Sequence, residues 1–129
     1  MPMRRRALAP LLLLTLFTAG QALAGEAAFD AAKFDALQKA GKPVLISVHA
    51  EWCPTCKAQE PIVAELLRTP ELQGITAMRV DFDSQKEVRQ RFKVQYQSTL
   101  IVFKGGKEAG RSTGETDQAR IAALLRKAL

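Results

Sequence analysis

Apolar positions along the chain change their period from segment to segment, and those changes mark the elements. Residues 7–19 are almost continuously apolar behind Arg4, Arg5 and Arg6, with Pro10 as an interruption, and Ala22-Leu23-Ala24 follows. A basic start, a short apolar run and a small-x-small site are the parts of a secretory leader. The run is too short to cross a bilayer comfortably, and no cysteine follows it to carry a lipid anchor. The arginines lack the rest of a twin-arginine signal. General secretion is therefore expected, with residues 1–24 cleaved, residues 25–129 forming one domain, and a periplasmic location. An uncleaved N-terminal anchor is the competing reading.

Beyond the leader, helix and strand periods alternate. Asp30 is placed to cap a helix reaching about Ala40, with Ala36, Leu37 and Ala40 on one face and Phe34 beside it, and Gly41-Lys42-Pro43 ends it. Residues 44–48 are nearly all apolar, as in a strand covered on both faces. A helix then runs to about Arg68, with Ile62, Val63, Leu66 and Leu67 as its buried stripe and an expected kink at Pro61. Residues 75–82 read as a second strand. Ser84-Gln85-Lys86-Glu87 reads as a capping box opening a helix that buries Val88 and Phe92. Residues 99–103 form a third strand, which Lys104-Gly105-Gly106-Lys107 turns back into a weaker one over 108–112. Thr116 is expected to cap a last helix that buries Ile121, Leu124 and Leu125. This order predicts an α/β fold, a central mixed β-sheet with helices on both faces.

Composition changes the picture in two places. The leader carries three of the 19 basic residues and none of the 13 acidic ones, so residues 25–129 hold 16 basic against 13 acidic groups, a net charge of +3. The whole-chain +6 thus overstates the basicity of the working domain. With one tryptophan, one tyrosine and no interleaving of basic and aromatic residues, no nucleic-acid partner is expected. Arg89, Arg91 and Lys93 read as a solvated cationic helix face. The second point is that only two cysteines are present, Cys53 and Cys56, at the end of the first strand and the start of the following helix.

Cys-x-x-Cys in that setting reads as a redox pair. A thiol at a helix N-terminus faces unpaired backbone N–H groups and the positive end of the helix dipole, and both favour thiolate. A cysteine of pKa about 8.5 is roughly 3% thiolate at pH 7, while one lowered to about 7 is half ionised. Cys53, nearer the helix start, is the expected nucleophile, and Cys56, one turn on, the residue that closes the disulfide. A structural staple is the competing reading, but so small a loop constrains little of the unfolded chain.

Around these residues the chain resembles the thioredoxin family. Ala50-Glu51-Trp52-Cys53 and Cys56-Lys57 are similar to its active-site surroundings, with Pro54-Thr55 in place of the usual Gly-Pro. The likeness continues through Pro61, residues 80–83, residues 99–106 and Gly114. The resemblance implies a thioredoxin-like fold and thiol–disulfide exchange on protein disulfides. It implies no cofactor beyond a Cys53–Cys56 disulfide, and no metal. It also implies that Trp52, Pro54 and Thr55 modulate the site.

Three positions depart from the family pattern. Ser98 stands where the family carries a cis-proline facing the disulfide. A non-proline cis bond costs about 2.5–4 kcal/mol, so a trans Gln97–Ser98 bond and an altered loop are expected. The Ser98 hydroxyl is either a hydrogen-bond partner of Cys53 or a solvated loop group. Ser47 stands where the family has a buried acid, leaving Glu51 or water to move protons. His49, the only histidine, either tunes the Cys53 thiolate or is a half-buried strand residue bonded to backbone.

The leading reading is an exported, monomeric thiol–disulfide oxidoreductase that reduces disulfides of other exported proteins and is recharged by a membrane electron donor. The alternative is a metal-handling protein. Two thiolates and one histidine cannot close a zinc site within one chain. They can hold Cu(I), or build a zinc or iron–sulfur site across a dimer, and loss of the proline removes a group that shields the sulfurs. A fold whose cysteine pair is vestigial is the third reading.

Overall fold

The computed structural model describes residues 26–129, and the expected leader lies outside them. Nine elements follow in order: β1 Ala27–Ala28, α1 Ala31–Lys39, β2 Val44–His49, α2 Pro54–Leu67, β3 Thr76–Asp81, α3 Lys86–Arg91, β4 Thr99–Lys104, β5 Lys107–Thr113 and α4 Gln118–Arg126. The strands form one sheet in the order β1-β3-β2-β4-β5. β1 and β2 run parallel to β3, whereas β4 runs antiparallel to both β2 and β5. This is the mixed α/β sheet expected from the sequence.

The period-2 alternation of β2 explains its nearly continuous apolar run. Val44, Ile46 and Val48 join Phe34, Met78, Val80, Phe92, Val94, Ile101 and Phe103 on one face, the face that α1 and α3 cover. Leu45 points the other way, into the layer where Val63 and Leu66 of α2 meet Ile121, Leu124 and Leu125 of α4. With helices on both faces, neither set of β2 side chains can be polar without cost. The first layer is aromatic at its centre. Phe34 packs edge-on to Phe92 and Phe103 at centroid distances of 5.3 and 5.2 Å.

Several boundaries differ from those read in the sequence, each for a local reason. The two-residue edge strand β1 carries no periodic signal and was not expected. In α1 the buried residues are Phe34 and Gln38, while Ala36 and Ala40 are exposed. Docking of Phe34 into the aromatic layer sets the helix rotation, and Gln38 Oε1 then accepts the Gly106 N–H at 2.7 Å. α1 ends as expected at Gly41, whose φ of +70° suits a residue without Cβ. Its N–H bonds Gln38 and that of Lys42 bonds Leu37, which satisfies the last carbonyls.

The capping box at 84–87 does not form. Asp81 takes the Ser84 hydroxyl at 2.9 Å and the N–H groups of Asp83 and Ser84 at 3.0 and 2.8 Å, so α3 opens at Gln85 without a side-chain cap. A carboxylate at the strand end competes better for these donors than the serine does for the helix. Asp117, not Thr116, caps α4, accepting the Arg120 N–H at 2.9 Å. Arg89 and Arg91 are not a bare solvated face. Arg89 lies 3.6 Å above the Phe82 ring, and Arg91 covers Phe34 while pairing with Asp35.

Phe34→Ala empties the centre of the aromatic layer and is expected to lower unfolding free energy by about 3–5 kcal/mol. Urea denaturation followed by tryptophan fluorescence measures it. A loss under about 1 kcal/mol would show that the layer repacks.

Candidate active site

β2 delivers the chain to the carboxyl edge of the sheet, where open α/β sheets place their sites. Ala50 is fully buried and its carbonyl accepts the Cys53 N–H at 3.1 Å, closing a turn between strand and helix. Cys53 is the N-cap of α2, with extended backbone, and Pro54 occupies the first turn, where its missing N–H is not needed. The Cys53 sulfur itself accepts the Cys56 N–H at 3.1 Å. A sulfur thus does the work that a serine or aspartate oxygen does at most helix starts.

α2 turns Cys56 inward because Cys56, Gln59, Val63 and Leu66 form one buried stripe at helical spacing. Both cysteines are free thiols, 1% and 2% exposed. Access therefore joins ionisation in setting the exchange rate.

Ser98 completes the site from across the sheet. Its Oγ lies 3.1 Å from the Cys53 sulfur and 3.1 Å from the Cys56 sulfur. Of the two readings of this serine, the buried hydrogen-bond partner is correct, and it serves both sulfurs. The described residues contain no cis peptide bond, and Ser98 takes a φ of +59°. Its N–H donates to Val48 O at 2.9 Å, and its carbonyl accepts from Gly114 N–H at 3.0 Å and from Gln59 Nε2 at 3.3 Å.

Gln59 was missed in the sequence. Its amide also donates to Glu115 O at 2.9 Å, so one side chain of α2 ties the Ser98 loop to the segment before α4. The available signal was a polar residue three positions after Cys56, within a stripe otherwise continued by Val63 and Leu66.

The remaining expected residues divide. Trp52 is 57% exposed, stands edge-on to Phe82 at 6.2 Å, and donates its indole N–H to Asp83 at 2.8 Å. Thr55 follows Pro54 in the first turn of α2, and its backbone helps lower the Cys53 pKa. His49 does not reach the sulfurs and is not a strand histidine bonded to backbone. Its ring is buried, with Nε2 3.1 Å from Glu51 and Nδ1 against Glu60, which in turn binds Arg79 at 2.8 Å. Glu51 pairs with that ring, is exposed to solvent and makes no hydrogen bond to either sulfur. Ser47 is buried beneath the site.

The two thiols are electrostatically unequal. Burial pushes Cys53 up, but hydrogen bonds from the Cys56 thiol, the Ser98 hydroxyl and the N–H groups of Cys56 and Thr55 outweigh it and hold it below the ordinary thiol range. Burial also pushes Cys56 up. Its thiol's hydrogen bond to Cys53 adds to that, and Ser98 and the Ala50 backbone offset only part of it.

The thioredoxin family model matches residues 26–127. The chain belongs to the thioredoxin family. It is 39% identical over 84 residues to a thioredoxin of Chlamydia trachomatis, across 65% of this chain and 80% of that one. A thioredoxin of Mycobacterium tuberculosis is 36% identical over 86 residues, across 67% and 71% of the two chains. Among solved structures, Trxlp of Edwardsiella tarda is 39% identical with a TM-score of 0.75, covering 78% of this chain and 98% of that one. The thioredoxin of Trypanosoma brucei brucei, 20% identical with a TM-score of 0.68 over 82% and 93% of the chains, shares the fold. The chain is a thiol–disulfide oxidoreductase of this family, with its cysteine pair at the start of α2.

Two outcomes follow for this thioredoxin-family site. Gln59→Leu keeps the bulk but leaves the Ser98 and Glu115 carbonyls without their amide donor, an expected loss of about 1–3 kcal/mol in urea denaturation. A depressed thiol pKa means thiolate appears at lower pH. Iodoacetamide at neutral pH should therefore label Cys53 before Cys56, with a rate profile whose midpoint lies below that of a cysteine peptide. Peptide mapping of the alkylated protein reads the order, and labelling of Cys56 first would contradict the asymmetry.

Proposed function

We propose that this protein is an exported reductase of protein disulfides, working as a monomer in the periplasm after loss of residues 1–24. The leader pattern supports export, and Trp52 and Lys57 favour the reducing direction by family resemblance. One observation carries the chemistry: Cys53 offers its sulfur at the helix cap, while Cys56 holds a proton one turn inside.

Cys53 thiolate attacks one sulfur of a substrate disulfide, and the other sulfur leaves with the electron pair and takes a proton. Cys56 then loses its proton and bonds to the Cys53 sulfur, and the second substrate sulfur leaves. Two electrons pass from the dithiol to the substrate. Trp52 and Tyr96, both exposed, flank the site in sequence from either side, one just before Cys53 and one two residues before Ser98, and supply apolar surface for a partner chain. A membrane dithiol donor returns the electrons, since no cytosolic reductase reaches this compartment.

The reduction potential of the pair, measured by equilibration against glutathione or dithiothreitol, tests the direction. A value near about −270 mV fits a reductase, and one near about −120 mV reverses the flow and makes the protein a disulfide donor. Cys56→Ser should accumulate mixed disulfides with exported proteins and Cys53→Ser should not. Stoichiometric copper, zinc or iron in purified protein, with no insulin reduction, would replace this reading with the metal-handling one.

A further inference from the structure

Ser98 has a geometry that the exchange reaction does not require of a loop residue. Its oxygen is equidistant from the two reacting sulfurs, at 3.1 Å each, and the residue is 2% exposed. Its backbone is fixed at both ends, by Val48 on the N–H and by Gly114 and Gln59 on the carbonyl. With Oγ equidistant from the two sulfurs, rotation of one hydroxyl hydrogen is enough to turn the donor from one to the other. That hydroxyl has one donor hydrogen and two acceptor lone pairs.

We infer that Ser98 is a catalytic residue whose single hydroxyl hydrogen is donated in turn to whichever of the two cysteine sulfurs carries the negative charge. Before attack the charge sits on Cys53, so the hydroxyl donates there alongside the Cys56 S–H. Once the Cys53 sulfur is bonded to substrate it is neutral and a weak acceptor. The hydrogen then rotates to Cys56 and stabilises the second thiolate as it forms. In that step Cys56 gives its proton to water, its sulfur bonds to the Cys53 sulfur and the Cys53–substrate bond breaks. The substrate sulfur leaves with the electron pair and takes a proton from water. Ser98 ends with the hydrogen it began with.

The surroundings leave this task to a neutral donor. Ser47 stands where the family resemblance places a carboxylate and cannot take up a proton at neutral pH. Glu51 and His49 are engaged with each other, and Glu60 with His49 and Arg79. None of these side chains is hydrogen-bonded to a sulfur. The Ser98 hydroxyl lowers the pKa of each thiol, although burial and Cys53 still leave Cys56 raised.

The inference rests on the thiol–disulfide reading of Cys53 and Cys56, and the test separates the two. Reduced protein is mixed in stopped flow with excess dithiobis-nitrobenzoate. Attack by Cys53 releases one coloured thiolate, and closure by Cys56 releases a second. Ser98→Gly removes the hydroxyl and accepts the positive φ without strain. Ser98→Ala removes it with a Cβ retained.

Both variants should slow both phases about tenfold at neutral pH and move both pH–rate profiles up by about one unit, the loss of a hydrogen bond to a charged sulfur. Because thiolate donation favours the reduced form, the potential should fall by about 30 mV per tenfold change. Circular dichroism and thermal melting establish that the variants fold. If a folded Ser98→Gly leaves the second phase and its pH profile unchanged, the inference is overturned, even if the first phase slows. A wild-type protein that releases neither equivalent sinks the exchange reading itself, and the inference with it.

Discussion

The hydrogen bond from the Cys56 N–H to the Cys53 sulfur joins the folding of this protein to its chemistry. A helix start leaves backbone donors without partners, and something must accept them. Here the acceptor is a sulfur, so the requirement that opens α2 is also one that favours an anion at Cys53. The asymmetry of the pair then follows from helix geometry. Cys53 stands outside the helix as its cap, and Cys56 lies one turn in. There the stripe through Gln59, Val63 and Leu66 holds Cys56 against the sheet. No separate device is needed to decide which cysteine attacks.

The second constraint is the loop that closes over the sulfurs. A non-glycine residue at positive φ carries a strain of about 1–3 kcal/mol. Ser98 tolerates this because its N–H and carbonyl make three hydrogen bonds, to Val48, Gly114 and Gln59, each worth about 0.5–1.5 kcal/mol. The two quantities are comparable, so the three bonds together offset the strain. The partners come from β2, from the turn after β5 and from α2, so the loop is shaped by three separate parts of the chain. The strained residue is also the one whose side chain touches both sulfurs, which is where strain in a fold is most often tolerated.

Much of this was legible in the sequence, for reasons that also mark where legibility stops. β2 could be read because both its faces are covered, so 44–48 is apolar at every residue but Ser47. α2 and the cysteines could be read because a strand end, a Cys-x-x-Cys and a helical stripe occur in succession. Substitution of Ser98 for proline could be noticed, but its contact with both sulfurs could not, since residues 53, 56 and 98 are joined only by the β2–β4 pairing register. Gln59 escaped because a polar residue in a helix is normally solvent-facing, and its two acceptors lie on distant loops. The expected caps at Ser84 and Thr116 fail beside an aspartate: Asp81 takes the Ser84 hydroxyl, and Asp117 caps α4 one residue later. His49 was misjudged because its partners, Glu51 and Glu60, lie on either side of the active-site turn, and spacing alone suggested proximity to Cys53.

The position of the charged groups completes the account of how this site ionises. His49 lies on the face of β2 that α2 covers, and its ring, Glu60, Arg79 and Glu26 form a chain of pairs beneath that helix. No member of that chain is hydrogen-bonded to either sulfur. What acts on the Cys53 sulfur at hydrogen-bond distance is a pair of neutral donors, the Cys56 N–H and the Ser98 hydroxyl. Fixed dipoles at contact range are not screened by dissolved ions, whereas the field of an exposed charge decays over a Debye length of about 10 Å at 0.1 M salt. Thiolate formation at Cys53 therefore depends on the shape of the turn and the Ser98 loop far more than on ionic strength. The reactivity of the pair is a property of packed backbone, and whatever loosens the loops held by Gln59 acts on the chemistry through that geometry.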